Sequence, residues 1–334
     1  MITNDLFNTL LVDPVSQNSA NKLYVVSGYA TSAMAFHHLE NLRQRNIEIQ
    51  VELIVGMCGQ DGLSKSNHKG FQQLMQSDFA GNFECSYLVN TIPVHSKVYA
   101  WYRDDTPICA FTGSANYTQK AFGSAQGEAM ATSDPERGLE YFRGLIPNTI
   151  YCIHTEAEDF VQIYNDKYFA RQRREVAQQE NQNVPAPTIQ TLAGLESVRV
   201  SLLDFRNGTT LPPRSGLNWG QRPEEHREPN QAYIHLPSSI YKTSFFPPKT
   251  VHFTVLTDDG RVLICTRAQE EYGKAIHTPH NNSLIGEYFR NRLGVANGAP
   301  VTLEDLQNYG RTDVDFYKID EETYYMDFSV LVNG

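Results

Sequence analysis

Cysteine is scarce in this chain and poorly spaced for structural work. The five thiols, at 58, 85, 109, 152 and 265, form no CxxC and no His/Cys set with zinc spacing. That excludes a disulfide or zinc-ribbon scaffold and reads as free thiols in a reducing cytoplasm. No run approaches the roughly 20 apolar residues of a membrane span. The start, Met1-Ile2-Thr3-Asn4-Asp5-Leu6, lacks the basic region and apolar stretch of a secretory signal. There is no GxxxxGK[ST] phosphate loop, so ATP hydrolysis would have to come from another protein. Positive charge is also short: 28 Lys and Arg face 38 Asp and Glu, a net charge of −10.

The charge distribution says more than its total. Arg199 to Arg222 holds four Arg against the single acid Asp204. Lys274 to Arg292 holds three basic residues and one acid, Glu287, with His277 and His280 alongside. Glu304 to Asp327 carries eight acids and two bases, a solvated face or a docking surface for a protein partner. With 334 residues and 40% hydrophobic content, the chain is long enough for two buried cores.

The first half alternates strand and helix signals. Lys22–Tyr29, Glu48–Gly56 and Phe83–Val89 read as strands, Ser32–Arg45 and about Ser66–Met75 as helices. A strand starts at Glu128, Pro135 opens a helix, and Glu156 to about Gln179 reads as one long helix. This pattern predicts an α/β sandwich with a mainly parallel sheet. A polar, proline-bearing stretch follows at Asn181–Thr188. Beyond it short strands are expected at Val198–Leu203, Ala232–Leu236, Thr250–Leu256 and Val262–Thr266. Asp258-Asp259-Gly260 marks a hairpin, Ser283–Arg292 a helix and Tyr324–Val332 a closing strand. The second half is therefore a small, mostly β domain, an open barrel.

Two motifs carry chemistry. His95-Ser96-Lys97 leads into Val98-Tyr99-Ala100-Trp101, a β-rich run. Strand side chains repeat with period two, so His95 and Lys97 share a face. The next apolar segment, Ile108–Gly113, ends in Gly113-Ser114-Ala115-Asn116, where the same rule aligns Ser114 with Asn116. An imidazole, an ammonium, a hydroxyl and an amide at one spot suit a phosphodiester: a nucleophile, a cation and two hydrogen-bond donors.

H-x-K followed by G-S-x-N resembles the phospholipase D superfamily, closest to its metal-independent nucleases. The superfamily pattern places an Asp five residues after the Lys, where this chain has Tyr102. Its restriction-endonuclease branch uses a later acid, for which Glu128 is the candidate; the alternative is a solvated strand-end carboxylate.

In the second half, Ser215-Gly216-Leu217-Asn218-Trp219-Gly220-Gln221-Arg222 crowds side chains that contact base edges into a glycine-bearing loop. Lys274–Ser283 is a second polar loop. On the residues alone these are either two DNA-gripping arms or surface loops with Trp219 plugging the barrel. The Leu-Asn-Trp-Gly loop and Gly286–Gly294 resemble the NgoFVII/BfiI-like restriction endonucleases, whose B3-like β-barrel grips the major groove with two arms. That resemblance implies an N-terminal phospholipase D-like nuclease domain at 1–178, a linker at 179–192 and a C-terminal B3-like DNA-binding domain at 193–334. Residue chemistry in and beside the two loops makes Arg206, Arg214, Asn218, Trp219, Gln221, Arg222, Lys274, His277, Asn281, Asn282 and Ser283 the expected DNA contacts.

Only one HxK…GSxN set exists, whereas superfamily sites use two, so the resemblance implies a homodimer with one shared site. His95 of one subunit would attack phosphorus and His95 of the other protonate the leaving oxygen. Lys97, Asn116 and Ser114 would hold the phosphate and Glu128 would tune a histidine. The chemistry would need no metal. The partners implied are double-stranded DNA, a cognate DNA methyltransferase and, as in some relatives, a separate ATP-dependent translocase. A phospholipase, another phospholipase D-type nuclease and a non-catalytic DNA-binding regulator are the competing readings.

Overall fold

Alternation along Lys22–Ser27 (β1) gives a strand with two buried faces, Leu23 and Val25 on one and Tyr24 and Val26 on the other. With Gln50–Val55 (β2), Leu63–Ser64 (β3), Phe83–Leu88 (β4), Lys97–Arg103 (β5), Thr106–Gly113 (β6), Met130–Ser133 (β7), Thr149–Tyr151 (β8) and Ile163–Tyr164 (β9), it builds the first of two compact units. In the computed structural model residues 1–123, 127–166, 192, 194–204, 208–269 and 273–330 are described. The units span Met1–Asp166 and Lys167–Gly334. The expected boundaries at 178 and 193, and the linker except Leu192, lie outside the described residues.

The main sheet runs β7-β6-β5-β1-β2-β4-β8, with β3 and β9 pairing separately. On one face Tyr24, Val26, Ile54, Ala100, Tyr102 and Ala110 pack with Leu139 and Phe142 of the helix Pro135–Leu145. On the other, the fully buried Trp101 donates to the Leu10 carbonyl at 2.7 Å and meets His38 of the helix Ser32–Arg43 edge-on at 6.1 Å. Helices therefore cover both faces, and the expected α/β sandwich forms.

Its strand directions differ from expectation. Among the described residues of the main sheet only β1–β2 and β2–β4 are parallel; β1–β5, β5–β6, β6–β7 and β4–β8 are antiparallel. The reason is connection length. A parallel crossover needs a dozen or more residues, and only Asp104 and Asp105 separate β5 from β6. The long helix expected from Glu156 is also absent over its described part. A four-residue helix, Ala157–Phe160, gives way to β9, and 167–179 lies outside the described residues.

The second unit holds Ser197–Ser201 (β10), Ile234–His235 (β11), Phe253–Thr257 (β12), Val262–Ala268 (β13), Ala275–His277 (β14), Asp313–Lys318 (β15) and Thr323–Asp327 (β16). They form one sheet in the order β10-β15-β16-β12-β13-β14-β11, whose edge strands β10 and β11 approach each other, so it curls into a nearly closed barrel. Phe245, Phe246, Phe253, Phe316 and Tyr324 fill its interior with interlocking rings. The Asp258-Asp259-Gly260 turn joins β12 to β13 as expected, with Gly260 at φ +87°.

β15 and the helix Leu303–Tyr309 carry no expectation from sequence, because both fall in the acidic stretch Glu304–Asp327. Those acids serve the fold. Asp305 completes a capping box with Thr302. Asp315 is clamped by Arg199 at 2.8 and 3.1 Å and by Arg311 at 2.5 Å, and Asp313 by Arg311 at 3.1 Å. Lys318 holds Glu321 at 3.0 Å. A docking surface for a partner thus loses much of its free charge.

Candidate active site and candidate DNA interface

The active-site candidates gather where β1 ends. Ser27, the last residue of β1, pairs with Lys97, the first of β5, and β6 delivers Ser114 just past its end. Ligands in open α/β sheets bind outside the carboxyl ends of the parallel strands, and this is that end of β1.

Lys97 is buried, with Nζ donating to the His95 carbonyl at 2.6 Å and lying 2.9 Å from His95 Nδ1. Burial pushes the Lys97 ammonium below its ordinary range, and the nearby Glu128 charge partly offsets this. His95 stands exposed on the segment before β5, held close by two glycines. A Cβ on Gly28 would come within 3.0 Å of His95 Cδ2, and one on Gly56 within 2.1 Å of the Val94 carbonyl oxygen.

Ser114 donates its hydroxyl proton to Glu128, and the Ala129 N–H donates to the same hydroxyl at 3.0 Å. Glu128 itself is 7% exposed, so the reading of a solvated strand-end carboxylate does not hold. Asn116 Oδ1 accepts from the Tyr29 N–H at 3.1 Å. Its Nδ2 group remains as a donor. All five sequence candidates thus lie in one connected cluster. Tyr102, in the superfamily's Asp position, is a core residue on the opposite face, its hydroxyl donating to the Pro135 carbonyl at 3.0 Å.

Among the described residues no three His, Cys, Asp or Glu side chains form a metal-holding group, and no helix is long and apolar enough to cross a membrane.

The second unit sorts its candidates differently. Asn218 is fully buried, donating to the Val301 carbonyl at 2.8 Å and accepting from the Val301 N–H at 2.8 Å. Gln221 Nε2 donates to the Pro229 and Gly298 carbonyls at 2.9 and 3.1 Å. Ser283 is buried against Glu228. The side chains of these three brace the loops through those contacts. Asn281 caps its own turn, accepting from the Ser283 N–H at 3.0 Å, and Asn282 Oδ1 lies 2.8 Å from His277 Nδ1. Arg206 lies outside the described residues.

Three arginines, each paired with a glutamate, gather beside the Trp219 loop. Arg214 is exposed and paired with Glu224, and Arg222 reaches Glu225 at 2.9 Å. Arg227, absent from the sequence candidates, lies 4.1 Å over the Trp219 ring and 2.7 Å from Glu225. Trp219 is half-buried against Tyr233, at 5.7 Å, so it lines the loop and does not plug the barrel. Lys274 sits 5.9 Å over Tyr241.

Comparison with known proteins agrees with both units. Residues 4–159 match the NgoFVII restriction endonuclease N-terminal PLD domain, and residues 190–320 match the NgoFVII C-terminal B3-like DNA-binding domain. The chain belongs to the NgoFVII-type restriction endonuclease family. It joins a phospholipase D-type nuclease domain, acting on DNA phosphodiester bonds, to a B3-like DNA-binding barrel.

Among solved structures, NucT from Helicobacter pylori is 19% identical, covering 45% of this chain and 96% of its own, with a TM-score of 0.31. Nuc from Salmonella typhimurium, a phospholipase D family member, is 16% identical over 44% of this chain and 88% of its own, also at 0.31. No curated protein matches.

Sequence reading also missed Ser27 and Arg290. Ser27 Oγ donates to the Tyr29 carbonyl at 2.6 Å and accepts from the Tyr117 N–H at 2.9 Å, tying the end of β1 to the GSxN loop. A serine closing an apolar strand was the available signal. Arg290, fully buried in the helix Leu284–Leu293, donates to the carbonyls of Ala299 (2.7 Å), Leu217 (3.3 Å), Pro229 (3.3 Å) and Asn230 (3.5 Å). It holds the Trp219 loop in place.

Proposed function

We propose that this protein is a sequence-specific restriction endonuclease that cuts DNA through a phosphohistidine, without a metal, in a homodimer. The observation that carries the reading is the Lys97–His95 contact beside the Ser114–Glu128 pair and Asn116.

In the proposed cycle one His95 attacks phosphorus, forming an N–P bond as the P–O3′ bond breaks. The second subunit's copy of the same histidine gives a proton to the departing 3′ oxygen. It then takes a proton from water, whose oxygen attacks the phosphohistidine and releases a 5′-phosphate and the free imidazole. Lys97 and Asn116 neutralise the non-bridging oxygens. The dimer follows from having one HxK…GSxN set per chain.

The barrel reads DNA through Trp219, Arg214, Arg222 and Lys274 in two loops, with His277, Asn281 and Asn282 supporting the second. A partner ATP-dependent translocase and a cognate methyltransferase in the cytoplasm complete the proposal.

Plasmid cleavage in excess EDTA tests it. Wild type is expected to cut and His95→Ala to be inert; cleavage by both sinks the mechanism.

A further inference from the structure

We infer that Tyr29 and Asp61 form a positioning pair that holds the His95 ring for attack. The inference rests on the phosphodiesterase reading of His95.

Lys97 Nζ, 2.9 Å from Nδ1, touches the His95 ring at its nitrogens, yet in-line attack also demands that the ring plane be held. Tyr29 supplies lateral support. Its ring meets the His95 ring edge-on, centroids 5.6 Å apart at 78°, a preferred geometry for ring pairs. The tyrosine is itself 42% exposed, so core packing does not explain its orientation.

Its hydroxyl does. The O–H donates to Asp61 Oδ2 at 2.5 Å, and Asp61 ends the short helix Cys58–Asp61 that follows β2. Burial, then the Asp61 carboxylate, push the phenol up to about 12, so it stays protonated and keeps donating at working pH. The same residue's N–H holds Asn116 Oδ1 at 3.1 Å. One residue therefore links the proposed nucleophile to one of its phosphate ligands, and Asp61 anchors that residue from β2's side of the sheet.

The test uses the full chain and single-turnover plasmid cleavage in EDTA, with melting curves as the folding control. Tyr29→Ala should lose about 100-fold in kcat with KM for DNA unchanged. Tyr29→Phe and Asp61→Ala, which each break only the anchor, should lose about tenfold each, and the double variant no more than either alone. Asp61→Asn, still an acceptor, should recover most of the rate. The kcat–pH profile should keep its shape in Tyr29→Phe.

Multiplying losses in the double variant, or a loss in KM alone, would overturn the inference and leave the mechanism standing. Full activity of His95→Ala would remove both. If wild type is silent without a partner, the His95 imidazole NMR signals carry the test. They should move in Tyr29→Ala and, in the same direction but less, in Asp61→Ala. Signals that coincide with wild type in Asp61→Ala would overturn it.

Discussion

The Ser114 hydroxyl donates to the Glu128 carboxylate, and that carboxylate's charge also reaches Lys97. One acid therefore orients a hydroxyl and props up an ammonium that burial weakens. Replacing Glu128 by Gln should drop Lys97 further below its ordinary range. Lys97 then loses its proton at lower pH, so the alkaline limb of the kcat–pH profile moves down. Glu128→Ala should cost about 100-fold in kcat and Ser114→Ala about tenfold. A limb that stays in place would separate Glu128 from Lys97.

His38 makes the nuclease unit acid-sensitive. It is fully buried; Nε2 donates to the Leu11 carbonyl at 3.2 Å, and Nδ1 therefore accepts from the Tyr117 hydroxyl at 2.8 Å. Burial pushes it down to about 3, and its neighbour His37 to about 4. The unfolded chain binds these protons near pH 6.5, the folded chain only near 3 to 4. Stability is thus complete above about pH 6.5 and falls as pH drops toward 3, by a few kcal/mol on an order-of-magnitude scale. Melting temperature against pH checks this: His38→Gln should lower it at neutral pH and flatten its fall toward pH 4.

If the proposed DNA-binding loop meets phosphate, Glu225 competes for two of its arginines. It pairs with Arg222 at 2.9 Å and Arg227 at 2.7 Å. Those hydrogen bonds, Arg227 first, hold its carboxyl below the ordinary range. Glu225→Gln should tighten binding to random-sequence DNA roughly three- to tenfold and steepen the salt dependence by about one unit in log K against log salt. Arg222→Gln should do the reverse. Fluorescence anisotropy across a salt series reads both. Unchanged slopes would place these arginines off the DNA.

Arg290→Met should destabilise the barrel by about 3 kcal/mol or more, because it leaves several buried carbonyls without a donor. Denaturant unfolding should show the loss, and the altered Trp219 loop should weaken DNA binding as well. Arg290→Lys, with one nitrogen for several carbonyls, should recover only part. Wild-type stability in Arg290→Met would mean water replaces the guanidinium.

The candidate active-site cluster was legible because its motifs name their own chemistry: His95, Lys97, Ser114, Asn116 and Glu128 occupy one neighbourhood. The second unit was legible as a barrel but not as a surface. Asn218 and Gln221 have the chemistry of base readers, and only tertiary contacts with Val301 and Gly298 reveal that they brace a loop. Arg227 had no motif around it; its role depends on folding back over Trp219. Sheet direction failed for a local reason, since apolar periodicity marks a strand without giving its sense. The acidic stretch hid β15 because its charges are matched by Arg199 and Arg311, one of them more than a hundred residues away.

The last strand of the barrel, β16, lies between β15 and β12 rather than at an edge. During synthesis the catalytic sheet has all its strands once Tyr151 has emerged, but the barrel lacks an interior strand until Asp327 does. The strands of the first unit's main sheet are therefore all synthesised before the barrel's last interior strand. A chain stopped between these points carries the whole catalytic cluster with no complete barrel to direct it. Under the proposed mechanism such a chain is inert by itself, because it holds one imidazole where the reaction requires two.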